Sequence, residues 1–445
     1  MTFSFHTELR DGDYVASMVT KVLVEEMGIK DLHVAATSLG SAQNIFAEYM
    51  EKGIIVEAQT SGVRGRIGEV ISAGKMEKPV TIRSHGGRPR AVEAGEVHID
   101  IAFLAAASSD CCGNGGKNNF GSMGFAMHDA HFADHIVIIT DTLVPFPNVP
   151  CSISAIDVDA VVVVDAIGNP AKIATKEARI TDNPRELMMA KNVANIIAAL
   201  PYFEDGFSFQ TGVGGPSLAV NRFLEEHMVE KGITMSFALG GTTSAVCALQ
   251  DKGLVKKICD TQDFDTGAAA HLEANPTKHI ELDLSQYASA GNKGAFVNKL
   301  DYVVLSALEI DTKFNVNVIT GSDGVLRGAP GGHPDAAAGS KCCIIVTPLT
   351  RGRMATVCKD VVTVTTPGDC VDVLVTDFGT AVNPARQDII ECLNAAGIKH
   401  IPIEKLQEKA YDLVGEPDPL EWEDKVVAFL FHRLFLSASA KDLLR

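Results

Sequence analysis

Three stretches of this sequence combine residue types that can hold an anion or polarise a carbonyl. The first is Gly212-Val213-Gly214-Gly215-Pro216-Ser217, set between the alternating apolar run FSFQTG and a helical pattern. Backbone N–H groups at a helix start can hold a phosphate or a developing oxyanion. A dinucleotide fingerprint needs G-x-G-x-x-G, and its last position here is Ser217, so that match is weak. A tight strand-to-helix turn without a ligand is the plain alternative. The second stretch, Gly328-Ala329-Pro330-Gly331-Gly332-His333-Pro334-Asp335, precedes the run KCCIIV. Bare amides at Gly331 and Gly332 could polarise a carbonyl, with His333 and Asp335 shaping the pocket; a simple turn is again the alternative. The third, residues 61–90, carries five Arg and two Lys against two Glu, a local +5 in an acidic chain. Arg64 and Arg66 alternate with glycine, which lets the backbone approach the same anion.

Other candidates are weaker. His128, His131 and His135 are spaced to share a helix face, but the flanking Asp129 and Asp134 fall on other faces, which favours surface or packing roles over a metal. Asp377-Phe378-Gly379 ends the run VDVLVT, and the carboxyl ends of parallel strands normally carry sites. No nucleophile elbow, zinc-protease helix or P-loop occurs.

The elements that must position these residues come as two copies of one unit. With residue n set against n+204, Phe3-Ser4-Phe5 faces Phe207-Ser208-Phe209 and Gly28-Ile29 faces Gly232-Ile233. With a small shift, Lys52-Gly53-Ile54 faces Lys252-Gly253-Leu254, and IDIAFLAA (99–106) matches LDYVVLSA (300–307). Each copy reads as strand, glycine loop, helix, strand. The runs HIVIIT, AVVVVD, KCCIIVTPL and VDVLVT suggest strands buried on both faces, as in parallel sheets. Asn183-Pro184 reads as a helix start, with Val193, Ile196, Ile197 and Leu200 on one face. The expected fold is α/β with two open, mostly parallel sheets flanked by helices, divided into residues 1–182 and 183–445. The second copy has a helix ahead of its first strand; the first copy begins at Met1 on its strand and lacks the equivalent.

Composition excludes several classes. A length of 445 residues suits two domains. A formal net charge of −17 argues against nucleic acid as partner. No apolar run reaches the roughly 20 residues of a membrane span, and no signal peptide is visible, so the cytoplasm is expected. The ten scattered cysteines form no C-x-x-C, which speaks against disulfides or zinc.

The order GVGGP, LSALEID, GAPGGHPD, VTTPGDCVDVLVTDFG resembles the CoA-transferase superfamily, and implies tandem domains of the NagB/RpiA/CoA-transferase-like fold. TSGVRGRIGE, IRSHGGR, FALGG, ALEIDTKFNVNVITGSDGVLRGAPGGH, PLTRGRM and FGTAVNPAR are similar to the citrate lyase α subunit family across residues 1–430. Members of that family begin well upstream, which agrees with the missing leading helix, and residues beyond about His432 match none of its motifs. The resemblance implies transfer of an acyl-carrier thioester from acetyl to citrate through a mixed anhydride. It implies citrate at Ser61, Arg64, Arg66, His85, Gly86, Gly87, Arg88 and His333, catalysis at Gly331, Gly332 and Asp377, and the thioester arm at Gly212, Gly214 and Gly215. Expected partners are a lyase β subunit and an acyl carrier γ subunit, with further copies of this chain in a homo-oligomer. The carrier would bring its own CoA-like arm, so no tightly bound cofactor is expected, and no metal.

The runner-up is a CoA-transferase or acyl-CoA hydrolase that uses free CoA and a catalytic Glu after the second strand of the C-terminal domain. That stretch reads here as Ile233-Thr234-Met235-Ser236-Phe237-Ala238, without a carboxylate. A ligand-sensing module without turnover is a third possibility on the same superfold.

Overall fold

The structure is a computed structural model that describes residues 1–6, 8–116, 122–173, 181–431 and 443–444. The sequence beyond His432 that departs from the family motifs lies almost wholly outside these residues. Seven parallel strands open the chain: β1 (Thr2–Phe5), β2 (Leu32–Ala36), β3 (Ile55–Thr60), β4 (Val80–Arg83), β5 (Ile101–Ala105), β6 (His135–Thr140) and β7 (Ala160–Val163). They lie in the order β4-β3-β2-β1-β5-β6-β7. The second sheet holds β8 (Ser208–Thr211), β9 (Met235–Thr242), β10 (Val255–Asp263), β11 (His279–Glu281) and β12 (Tyr302–Leu305), ordered β11-β10-β9-β8-β12. Strands 342–346, 373–375 and 380–382 continue it, and the last of these is antiparallel. The two orders are the same walk through the sheet, so the repeat seen in the sequence is a repeat of topology. Phe3 and Phe209, on equivalent strands, are both buried.

Local chemistry explains the elements. Asn183 caps the helix Pro184–Ala199 by accepting from the Arg185 amide, and Val193, Ile196 and Ile197 on its inner face are fully buried. The helix Gly215–Lys231 ends at Gly232, whose φ of 65° is left-handed and suits a residue without Cβ. The buried runs Cys342–Val346 and Tyr302–Leu305 are central strands covered on both faces. The expectation of two-sided burial fails at β7. Val162 and Val163 are exposed because β7 is an edge strand.

The division at 182 is also not the whole arrangement. The strand Ala428–Phe431 returns to the first sheet and pairs in parallel with β4, with Ala428 opposite Val80. An arm of the second half crosses too, for Ile319 and Leu326 are buried in the first unit's core beside Phe46 and Ile67. Both exchanges replace solvated apolar surface with packed contacts. No helix among the described residues is long and apolar enough to cross a membrane.

Candidate active site

The carboxyl ends of the two sheets face one another across a cavity of about 730 Å³. The first unit contributes the segment after β2, with Thr37, Ser38 and Gly40, and the loops after β3 and β4 through Arg64 and His85. The second contributes residues 212–216 after β8, Thr261 and Gln262 at the end of β10, residues 305–308 after β12, and the loop 328–333. Ligands of open α/β sheets bind at this end of the strands.

Main-chain bonds stitch the two units together at the cavity rim. The Val63 amide donates to the Gly328 carbonyl at 3.0 Å, the Gly331 amide to Ser61 at 3.3 Å, and the His85 amide to Gly331 at 2.9 Å. The buried Asp335 carboxylate accepts from Ser84 Oγ and from the Gly86 amide, both at 2.9 Å. Close approach explains the glycines: a Cβ on Gly86 would lie 2.1 Å from the Ala288 carbonyl oxygen.

These contacts sort the expected substrate residues. Arg64, His85 and His333 line the cavity. Ser61 is fully buried behind the wall and holds Gly331 through its carbonyl. Gly86 and Gly87 direct their amides to Asp335 and Ser84 rather than to the cavity. The basic segment is dispersed because the helices Gly65–Ser72 and Gly87–Glu93 turn its arginines to different faces. Arg66 pairs with Glu51 at 3.0 Å on the outside, and Arg90 with Glu96. Arg88 is buried and grips Asp129 with two bonds of 2.6 and 2.7 Å. No carboxylate pairs with Arg64 among the described residues. His333 is also committed: its Nε2 donates to the Ser306 carbonyl at 3.1 Å and its Nδ1 accepts from Thr366 Oγ1 at 2.7 Å. Burial pushes its pKa down to about 4, so it braces the wall as a neutral ring. His85 sits edge-on to Phe125 at 4.8 Å, and desolvation together with the Arg88 charge pushes its pKa down to about 3.

Gly331 and Gly332 both line the cavity; Gly331 has a left-handed φ of 50°, and a Cβ on Gly332 would meet the Tyr287 hydroxyl at 2.3 Å. Gly212, Gly214 and Gly215 line it as well, at the start of a 17-residue helix, although the Gly212 amide is engaged by Val304. Asp377 does not line the cavity. It follows strand 373–375, one strand beyond 342–346, whose end at Val346 reaches the cavity, and it accepts from the Leu349 amide at 2.8 Å. Ser236 is misplaced in the runner-up reading, since Ile233–Ala238 is the beginning of β9 and not its end. The segment at the carboxyl end is Gly240-Gly241-Thr242-Thr243-Ser244, which also lacks a carboxylate. Of the three spaced histidines, His128 is buried and stacked on Phe132, whereas His131 and His135 are exposed beside Asp157 and Asp159.

Sequence reasoning missed Arg10, Arg327, Arg351, Thr37, Gln210 and Tyr287, all on the wall. Arg351 lies within PLTRGRM; it is half-buried and donates to the Ala307 carbonyl at 2.6 Å. Arg10 lies over the Phe264 ring at 4.6 Å, a contact between the two halves that no local pattern announces.

Residues 1–436 match the family model for the citrate lyase, alpha subunit (CitF). The chain belongs to the citrate lyase alpha subunit family. The citrate lyase alpha chain of Klebsiella pneumoniae is 50% identical over 449 residues, covering 100% of this chain and 87% of that one. That of Escherichia coli strain K12 is 50% identical over 437 residues, covering 97% and 85%. A crystal structure described as the alpha subunit of citrate lyase from Streptococcus mutans in complex with citrate superimposes with a TM-score of 0.94 at 50% identity. It covers 97% of this chain and 86% of that chain. A Pseudomonas malonate decarboxylase hetero-tetramer shares the fold at a TM-score of 0.68 and 17% identity, over 93% of this chain and 84% of that one. The superposition on the Streptococcus mutans structure spans both sheets.

Proposed function

We propose that this chain transfers an acyl-carrier thioester from acetate to citrate. The observation that carries the reading is the cavity between the two sheets, where Arg10, Arg64, Arg327 and Arg351 meet glycine loops in a citrate lyase alpha subunit. Arginine suits a tricarboxylate because its planar fork matches carboxylate geometry. A citrate carboxylate oxygen attacks the acetyl thioester carbonyl, and the carbon–sulfur bond breaks to give a mixed anhydride and the carrier thiolate. The thiolate then attacks the citryl carbonyl and acetate leaves. Gly214, Gly215 and Gly332 line the cavity in which both tetrahedral oxyanions would form, and theirs are the amides left for an oxyanion, since those of Gly212 and Gly331 are engaged by Val304 and Ser61. The arm arrives on an acyl carrier subunit, so the chain itself needs no bound cofactor. A separate β subunit cleaves the citryl thioester, and the assembly works in the cytoplasm.

The test is a transfer assay on the chain alone with citrate and acetyl-carrier protein. Citryl thioester and acetate should appear without oxaloacetate, and initial rates should follow a sequential pattern. Borohydride after exposure to acyl-carrier alone should leave activity intact. Ping-pong rates with a modified carboxylate found by mass spectrometry would assign the chain to the covalent class instead.

The two arginines of the basic loop should behave differently. Arg64→Ala should raise the citrate requirement about tenfold, as loss of a charged hydrogen bond contributes roughly 1.5–3 kcal/mol. Arg66→Ala breaks an exposed pair and should change it less than about twofold. Equal effects in a citrate titration would return Arg66 to the site.

A further inference from the structure

We propose that Thr37 reads the tertiary hydroxyl of citrate by accepting a hydrogen bond from it, and that His6 and Asp129 hold Thr37 in that accepting orientation. The inference rests on the reading of citrate as the acceptor. Thr37 follows β2, lines the cavity and is 6% exposed. Behind it runs a closed chain of buried groups. Thr37 Oγ1 lies 3.1 Å from His6 Nδ1, and His6 Nε2 lies 2.8 Å from Asp129 Oδ2. Asp129 in turn is held by both terminal nitrogens of Arg88. His6, Asp129 and Arg88 are 2%, 0% and 4% exposed.

The placement of protons follows from these contacts. Asp129 faces a guanidinium and is ionised; it can only accept, so His6 Nε2 carries the hydrogen. Burial lowers the His6 pKa and keeps the ring neutral, which leaves a lone pair on Nδ1. Thr37 must therefore donate its single hydrogen backwards to His6. Only oxygen lone pairs remain to face the cavity.

Ionised citrate carries one hydrogen-bond donor, its hydroxyl; every carboxylate oxygen is an acceptor. The wall arginines match the carboxylates. The carboxylates on the wall, Asp11 and Glu186, would repel a tricarboxylate, whereas a neutral hydroxyl fixed as acceptor takes the donor without that repulsion. Thr37 thus touches substrate, and His6 and Asp129 are positioning residues.

The discriminating probe is propane-1,2,3-tricarboxylate, which is citrate without the hydroxyl. By calorimetry the wild-type chain should bind citrate about tenfold more tightly than this analogue. Thr37→Val should weaken citrate about tenfold and leave the analogue unchanged, and Thr37→Ser should restore the preference. His6→Phe, which keeps a ring but removes the acceptor, should lose the preference in the same way; a merely structural role would weaken both acids equally. Equal loss of both acids in Thr37→Val overturns the inference. So does a wild type that transfers the carrier to citrate yet binds the two acids alike. A wild type that neither binds citrate nor transfers to it overturns the transferase reading along with this one.

Discussion

Gly62→Ala is expected to lower transfer by about 10²-fold or more while leaving the far-UV spectrum unchanged. A Cβ at this position would lie 2.1 Å from the Ala329 Cβ and 2.6 Å from its Cα, with the Gly328 carbonyl oxygen at 3.1 Å. Carbon atoms in contact prefer about 3.5–4.0 Å, so the two loops must separate by more than an ångström. Those loops are the seam of the cavity, since Val63 donates to Gly328 and Gly331 to Ser61. Separation moves Arg64 on one side relative to Gly331 and Gly332 on the other. A misplacement of about 1 Å can cost about 10²-fold in rate. Gly291→Ala is the control, as its Cβ would meet nothing closer than 3.6 Å. A folded Gly62→Ala protein with wild-type turnover would remove the seam from the mechanism.

Asp129→Ala should destabilise the fold by about 3–5 kcal/mol, the cost of leaving one partner of a buried ion pair uncompensated. Arg88 is 4% exposed and would keep its charge without a counterion. The measurement is the denaturant midpoint at unchanged slope. The double variant Asp129→Leu with Arg88→Met should recover much of the loss, because paired apolar groups of similar volume often match or exceed a buried ion pair. The pH dependence has a definite sign. Although burial opposes ionisation, the Arg88 and His6 contacts hold the folded Asp129 pKa far below its ordinary value. Its stabilisation is therefore complete above about pH 4 and declines as pH falls below that. A single-variant cost under about 1 kcal/mol would mean that water reaches the pair.

The architecture was legible because duplication leaves its mark on spacing. Gly28-Ile29 and Gly232-Ile233 precede equivalent strands, and the glycines before β3 and β10 do the same. The glycine loops were legible too, since little else allows two backbones to meet as Gly62 and Ala329 do. What the sequence concealed is direction. Arg64, Arg66 and Arg88 look alike in a list of basic residues, yet helical rotation sends one to the cavity, one to Glu51 and one into the core. Asp377 falls outside the cavity wall because 373–375 lies one strand beyond 342–346, whose end reaches the cavity. Ser236 was misjudged by the length of one strand. His6, Thr37 and Asp129 come from three separate elements, and no local periodicity links them.

The return of Ala428–Phe431 to the border of β4 bears on how the chain can be made. During synthesis β4 emerges hundreds of residues before this partner, so that edge of the first sheet stays open until residues 428–431 have been made. An unpaired edge of this kind is a template for pairing with the wrong neighbour. The first sheet therefore gains this strand only after the second half has been made, and a nascent chain that stalls before 428 presents Val80–Arg83 to any strand nearby.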